Sequence, residues 1–128
     1  MTQEEMKART KQFALRVIRL VESLPNGKTA NVIGNQLLRS GTSVGANYRA
    51  SCRAKSTADF VHKLSIVEEE ADESIYWMEL LVEGKIKENL LENLMNEADQ
   101  ILSIIVSSIK TIKEKRNPQS QIPNPKSI

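Results

Sequence analysis

Cysteine occurs once in these 128 residues, at Cys52, so no intramolecular disulfide can form and a reducing compartment suits the chain. Histidine also occurs once, at His62, which removes the di-metal helical bundles that need two Glu-x-x-His motifs. Of four prolines, three stand at 118, 123 and 125, and glycine numbers only five, so the body of the chain has few breakers and reads as helical. With two Phe, two Tyr and one Trp, an all-β fold has little to build on. No apolar run approaches the roughly 20 residues of a membrane span, and the opening stretch Met1–Met6 is acidic and polar, unlike a secretory leader. These absences imply one cytoplasmic domain with no membrane partner.

What is present is helical periodicity. Phe13, Val17, Leu20, Val21 and Leu24, widened by Ala14 and Ile18, mark a first helix over about 3–24, ended by Pro25-Asn26-Gly27. Thr29, with Asn31 as a rival, is the expected N-cap of a second helix over about 29–55. Ser56 or Thr57 caps a third over about 57–83, with Gly84 as its natural C′ residue. Its stripe Phe60, Leu64, Val67, Ala71, Ile75, Met78, Val82 is joined by a second, Ile66, Trp77, Leu80, which implies two neighbours. The fourth helix, about 86–115, is apolar over much of its circumference, which argues for self-association. The short connections predict an all-α, up-down-up-down antiparallel four-helix bundle over 1–116, followed by a polar, proline-rich and disordered tail, 117–128.

The second helix is unusual. Gly34, Gly41 and Gly45 each cost about 1 kcal/mol of helix propensity relative to Ala, so close packing must compensate. A hairpin of helices two and three sets Arg39 near Glu73, Ser43 near Glu70 and Asn47 near Ile66. The expectation is a buried or half-buried polar cluster of Arg39, Ser43, Asn47, Glu70 and Glu73, which fixes register and whose loss of Arg39 strongly destabilises the fold. The alternative is a set of surface residues.

Charge is segregated. From Gln36 to Ala58 there is no acid, while Arg39, Arg49, Arg53 and Lys55 are present. Lys7, Arg9, Lys11, Arg16 and Arg19 lie on the first helix, and Lys110, Lys113, Lys115 and Arg116 end the fourth. The two basic groups need not merge within one subunit, although a ring of subunits can join either into a belt. The third helix carries the opposite sign, with Glu68, Glu69, Glu70, Asp72, Glu73, Glu79 and Glu83. A basic stripe is the footprint of nucleic-acid binding, against which stand a solvated helix face and intersubunit ion pairs.

No catalytic motif emerges. Gly27-Lys28-Thr29 resembles the end of a P-loop, but Glu22 occupies the position that needs Gly. Asp59, His62 and Lys63 share a helical turn, as in a His-phosphotransfer bundle, but Ser65 and Ile66 replace the Lys and Gly expected after such a His. Nothing orients Cys52 and His62 as nucleophile and base, and Glu68, Glu69 and Glu70 point in different directions. No enzyme activity, metal site or cofactor is expected.

Three motifs then stand in order: Gln36-Leu37-x-Arg39-Ser40-x-Thr42-Ser43-Val44-x-Ala46-Asn47, Asp59-Phe60-x-x-Lys63-Leu64-x-Ile66 and Glu70-Ala71-x-Glu73-x-x-Tyr76-Trp77-x-x-Leu80-Leu81. Together they resemble the four-helix-bundle proteins named for the intervening sequences of bacterial 23S ribosomal RNA, over roughly residues 10–112, with Met78 where Leu is usual. The resemblance implies an up-down bundle that assembles as a homopentameric ring. Relatives in diversity-generating retroelements are accessory proteins whose basic surface engages nucleic acid and a reverse transcriptase. The reading is a non-enzymatic oligomeric bundle that binds RNA, DNA or an RNA–protein complex, with Lys11, Arg16, Arg19, Arg49, Arg53 and Lys55 as candidate contacts chosen from composition. The rivals are a protein–protein scaffold without nucleic-acid binding and, more distantly, a phosphotransfer protein acting through His62.

Overall fold

Helices α1 (Gln3–Glu22), α2 (Lys28–Ser51), α3 (Thr57–Glu83) and α4 (Leu91–Arg116) carry the chain in a computed structural model that describes residues 1–87, 89 and 91–116. Each boundary has a local cause. Thr2 opens α1: its hydroxyl accepts the Glu5 N–H at 3.1 Å, and Glu4 and Glu5 occupy the first turn, where the helix dipole favours acids. The N-cap of α2 is Gly27, at φ 152°, with no side-chain cap. Thr29 and Asn31, expected to compete for that role, lie inside the helix, because glycine takes the positive φ that turns the chain two residues earlier.

The expected end of α2 near residue 55 is also corrected. The Arg53 and Ala54 amides bond back three residues, to the Ala50 and Ser51 carbonyls at 3.0 and 3.1 Å, tightening the chain out of the helix. Ser56 then extends and caps α3 by accepting the Asp59 N–H at 3.1 Å, while the Asp59 carboxylate accepts the Lys55 N–H at 3.1 Å. At the far end of α3 the residue in the left-handed region is Lys85, at φ 57°, and Gly84 stays helical at φ −79°. The Ile86 and Lys85 amides bond to the Leu81 and Val82 carbonyls at 3.0 Å each, a Schellman pair with lysine in the place usually given to glycine. α4 begins at Leu91, later than the expected 86. The expected tail, 117–128, lies outside the described residues.

α2 packs most extensively on α3, then α3 on α4 and α1 on α2, while α1 and α4 touch least, so the bundle is open along one side. Gly34 faces Val21 and Leu24, Gly41 faces Val17, and Gly45 faces Thr10, which makes α1 and α2 antiparallel. The core runs through Phe13 and Val17 of α1, Leu37 and Val44 of α2, Leu64, Val67, Met78 and Leu81 of α3, and Leu91, Ile101 and Ile105 of α4. Ile18, expected to widen the core stripe of α1, is instead exposed, together with Leu15 and Val32. No helix among the described residues is long and apolar enough to cross a membrane.

Candidate nucleic-acid interface

Because α1 and α2 are antiparallel, the start of α1 lies beside the end of α2. That brings Lys7 and Lys11 across from Arg49 and Arg53, lining a groove of about 560 Å³ whose small residues include Ala8, Gly45 and Ala46. Gly45 admits the approach: a Cβ there stands 3.3 Å from the Thr10 carbonyl oxygen. Among the described residues the groove's one carboxylate is Glu4, which the Lys7 ammonium meets at 3.0 Å. Lys11, Arg49 and Arg53 are exposed and without an ion-pair partner among the described residues. Lys55 is exposed just beyond the end of α2.

The remaining candidates do not join them. Arg16 is half-buried and turned toward α4, where its charge helps hold the Glu97 carboxyl low. Arg19 is exposed in the last turn of α1, at the other end of the helix from Lys7. The end of α4 does join them. Lys115 lines a second groove with Met1 and Gln3 beside α1 and with Tyr48 of α2. The two basic groups therefore gather at one pole of a single subunit, where the sequence leaves their merging open. Alternating direction requires it: the starts of α1 and α3 and the ends of α2 and α4 share an end. The exposed acids Glu69, Asp72, Glu79 and Glu83 lie along α3, away from that pole.

The polar cluster between α2 and α3 is partly as expected. Arg39 donates from Nη1 to Glu70 Oε2 at 3.2 Å, from Nη2 to Glu73, and from Nε to Gln36 at 3.2 Å. Trp77 Nε1 donates to the same Glu73 oxygen at 3.1 Å. Ser43 and Asn47 do not surround Glu70: Asn47 Nδ2 donates to the Ser43 carbonyl at 2.9 Å, within its own helix. The Arg39 side chain is 47% exposed, so this is a surface ion pair at the edge of the helix seam. The buried polar contact lies one residue further along each helix, where Ser74 Oγ and Ser40 Oγ stand 2.9 Å apart, both residues fully buried. Ser74 also bonds the Glu70 carbonyl at 2.8 Å. Helical pairing offset by one residue from Arg39 and Glu73 was the signal that could have found it. The glycines, by contrast, face α1, so the two oddities of α2 serve two different neighbours.

Sequence reasoning missed Arg9 as a structural residue. Its guanidinium meets Glu97 in a two-pronged pair, Nε to Oε2 at 2.7 Å and Nη2 to Oε1 at 2.8 Å, and Nη2 also donates to Gln100 Oε1 at 2.7 Å. The hydrogen bond from Arg9 holds the Glu97 carboxyl below the usual Glu range, against the opposing effect of burial. This pair ties α1 to α4 where the helices otherwise hardly meet. Tyr48 is pushed up to about 12 by burial, with the neighbouring Cys52 adding to the effect. Cys52 is a half-buried free thiol, and His62 is exposed in the same helical turn as the Asp59–Lys63 pair, which closes at 3.0 Å. No group of three or more His, Cys, Asp or Glu among the described residues is placed to hold a metal ion.

The fold is an all-α four-helix bundle with a concentration of basic residues at one pole. The chain belongs to the family described as 23S rRNA-intervening sequence protein, whose model matches residues 3–107. It is also similar to a crystal structure of a protein of unknown function from the S23 ribosomal protein family of Bacteroides thetaiotaomicron VPI-5482, with 39% identity and a TM-score of 0.78, covering 86% of this chain and 99% of that one. No curated protein matches.

Proposed function

We propose that this chain is a non-enzymatic, self-associating cytoplasmic bundle that binds nucleic acid, RNA foremost, or an RNA–protein complex through its basic pole. The observation that carries the reading is the groove where Lys7, Lys11, Arg49 and Arg53 converge with Glu4 as the one acid among the described residues. A concentration of cations, of which Lys11, Arg49 and Arg53 have no ion-pair partner among the described residues, raises the local potential, and phosphates that enter release their counterions. Lys55 and Lys115 extend the same pole; Arg16 and Arg19 fall outside it. The exposed Leu15, Ile18 and Val32 support self-association, and the family resemblance implies a homopentamer.

Gel shifts with a structured RNA and a duplex DNA, at rising salt, test the binding. The expected result is affinity that falls steeply with salt, with a slope that drops by about 1 when Lys11→Glu or Arg53→Glu removes a phosphate-binding cation. No binding of either polymer at low salt refutes the reading and favours a protein scaffold. Mass in solution tests the assembly: a monomer at all concentrations refutes it.

A further inference from the structure

The open side of the bundle, between α1 and α4, is a groove of about 880 Å³ that no carboxylate among the described residues lines. Its presence has a sequence cause. The inward side of α4 carries the buried Ile101, Ile105 and Ile109, whereas the strip that turns toward α1 carries Ser103, Ser107 and Thr111. These recur every fourth residue, so they form one ridge along the helix with side chains about 6 Å apart. They are too small to reach across to α1, and the seam stays open beyond the Arg9–Glu97 pair. Ser108 is committed to the Ile104 carbonyl at 2.8 Å. The hydroxyls of Ser103, Ser107 and Thr111 have no hydrogen-bond partner among the described residues. Half-buried Phe60 lies in the groove wall with Ile104 and Ile112, and Lys115 stands at the end that opens on the basic pole.

An aromatic side chain, apolar walls, uncommitted hydroxyls and a cation, without an acid among the described lining residues, match one ligand chemistry. We propose that this groove holds an unpaired base of a single-stranded nucleic acid, stacked on Phe60 and hydrogen-bonded by neighbouring hydroxyls of the Ser103, Ser107 and Thr111 ridge, with Lys115 beside its phosphate. The proposal rests on the nucleic-acid reading of the basic pole and adds a preference to it. Phosphate contacts do not distinguish strands from duplexes, whereas a base can enter a side groove only when it is splayed out of a helix. Base stacking on an aromatic ring tolerates any sequence, so the selectivity is for single strands and not for a motif.

The test uses the full chain and two labelled probes of equal length, a single-stranded RNA without self-complementarity and the corresponding RNA duplex. Two variants act on the groove. Phe60→Leu keeps the apolar volume and removes the ring face; Ser103→Leu with Ser107→Leu fills the groove from exposed helix positions, where Leu is a good helix former. The expected result is tighter binding of the single strand, weakened about tenfold by either variant, with duplex binding unchanged. Lys11→Glu with Arg53→Glu weakens both probes. Equal binding of both probes, with no effect of the groove variants, overturns the proposal while leaving the basic pole intact as a phosphate-binding surface. Failure of both probes to bind at low salt overturns the nucleic-acid reading and the groove proposal with it.

Discussion

Replacing Gly41 with alanine sets two known effects against each other, and the structure decides the sign. A Cβ at Gly41 stands 2.8 and 2.9 Å from the two methyls of Val17 and 3.2 Å from its Cβ, where ordinary contact begins near 3.4 Å. Val17 is fully buried and β-branched, so its side chain has no other rotamer to adopt and α1 must move off α2 by about half an ångström. That separation loosens the packing of Leu37 and Val44, both also fully buried. Overpacking of this kind costs about 1–3 kcal/mol, against about 1 kcal/mol regained in helix propensity. The net expectation is a destabilisation of roughly 1 kcal/mol. Gly34 provides the internal control. The nearest atom to a Cβ there is Leu24 Cδ1 at 3.0 Å, the far end of a flexible and half-buried side chain, which can swing aside. Gly34→Ala should therefore be neutral or more stable by up to about 1 kcal/mol. Urea unfolding followed by circular dichroism, at one fixed protein concentration, reads both as shifts in midpoint at constant slope. If Gly41→Ala stabilises as much as Gly34→Ala, close approach of α1 is not the reason for glycine at 41. A Val17→Ala background should reverse the penalty, because the new methyl then occupies vacated space.

Two further perturbations probe the ion pairs. Arg39→Ala should cost no more than about 1 kcal/mol, far less than a buried charge pair implies, because nearly half of the Arg39 side chain is exposed and water replaces it around Glu70 and Glu73; a drop of several kcal/mol in thermal or urea melts contradicts this. Glu97→Gln should cost roughly 1 kcal/mol at neutral pH, since the two-pronged pair with Arg9 is mostly shielded from solvent. Glu97 is held below its ordinary value of 4.5, so its contribution is complete above that pH and fades as pH falls through the lower folded-state value. The stability difference between wild type and Glu97→Gln should therefore shrink in melts below about pH 4.5, and a difference that persists in acid rules out the pair as its source.

Periodicity, breakers and short connections determined the four helices and their up-down order, because each of these acts locally or through one turn of chain. They also showed that α2 could not be an ordinary amphipathic helix, and the motifs centred on Arg39, Asp59 and Glu70 pointed to the family. The charged pair of Arg39 with Glu73 was legible for the same reason, since a hairpin with a short turn allows few registers. Tertiary structure decided the rest. Whether Arg39 is a buried key or a surface clasp depends on how far α2 leans on α3, and the buried role fell to Ser40 and Ser74. That the glycines of α2 admit α1, that Arg9 bridges to Glu97, and that the basic ends of α1, α2 and α4 share one pole all join residues distant in sequence. Periodicity along a helix tells which residues turn inward; only the packing of helix against helix tells which neighbour each one meets.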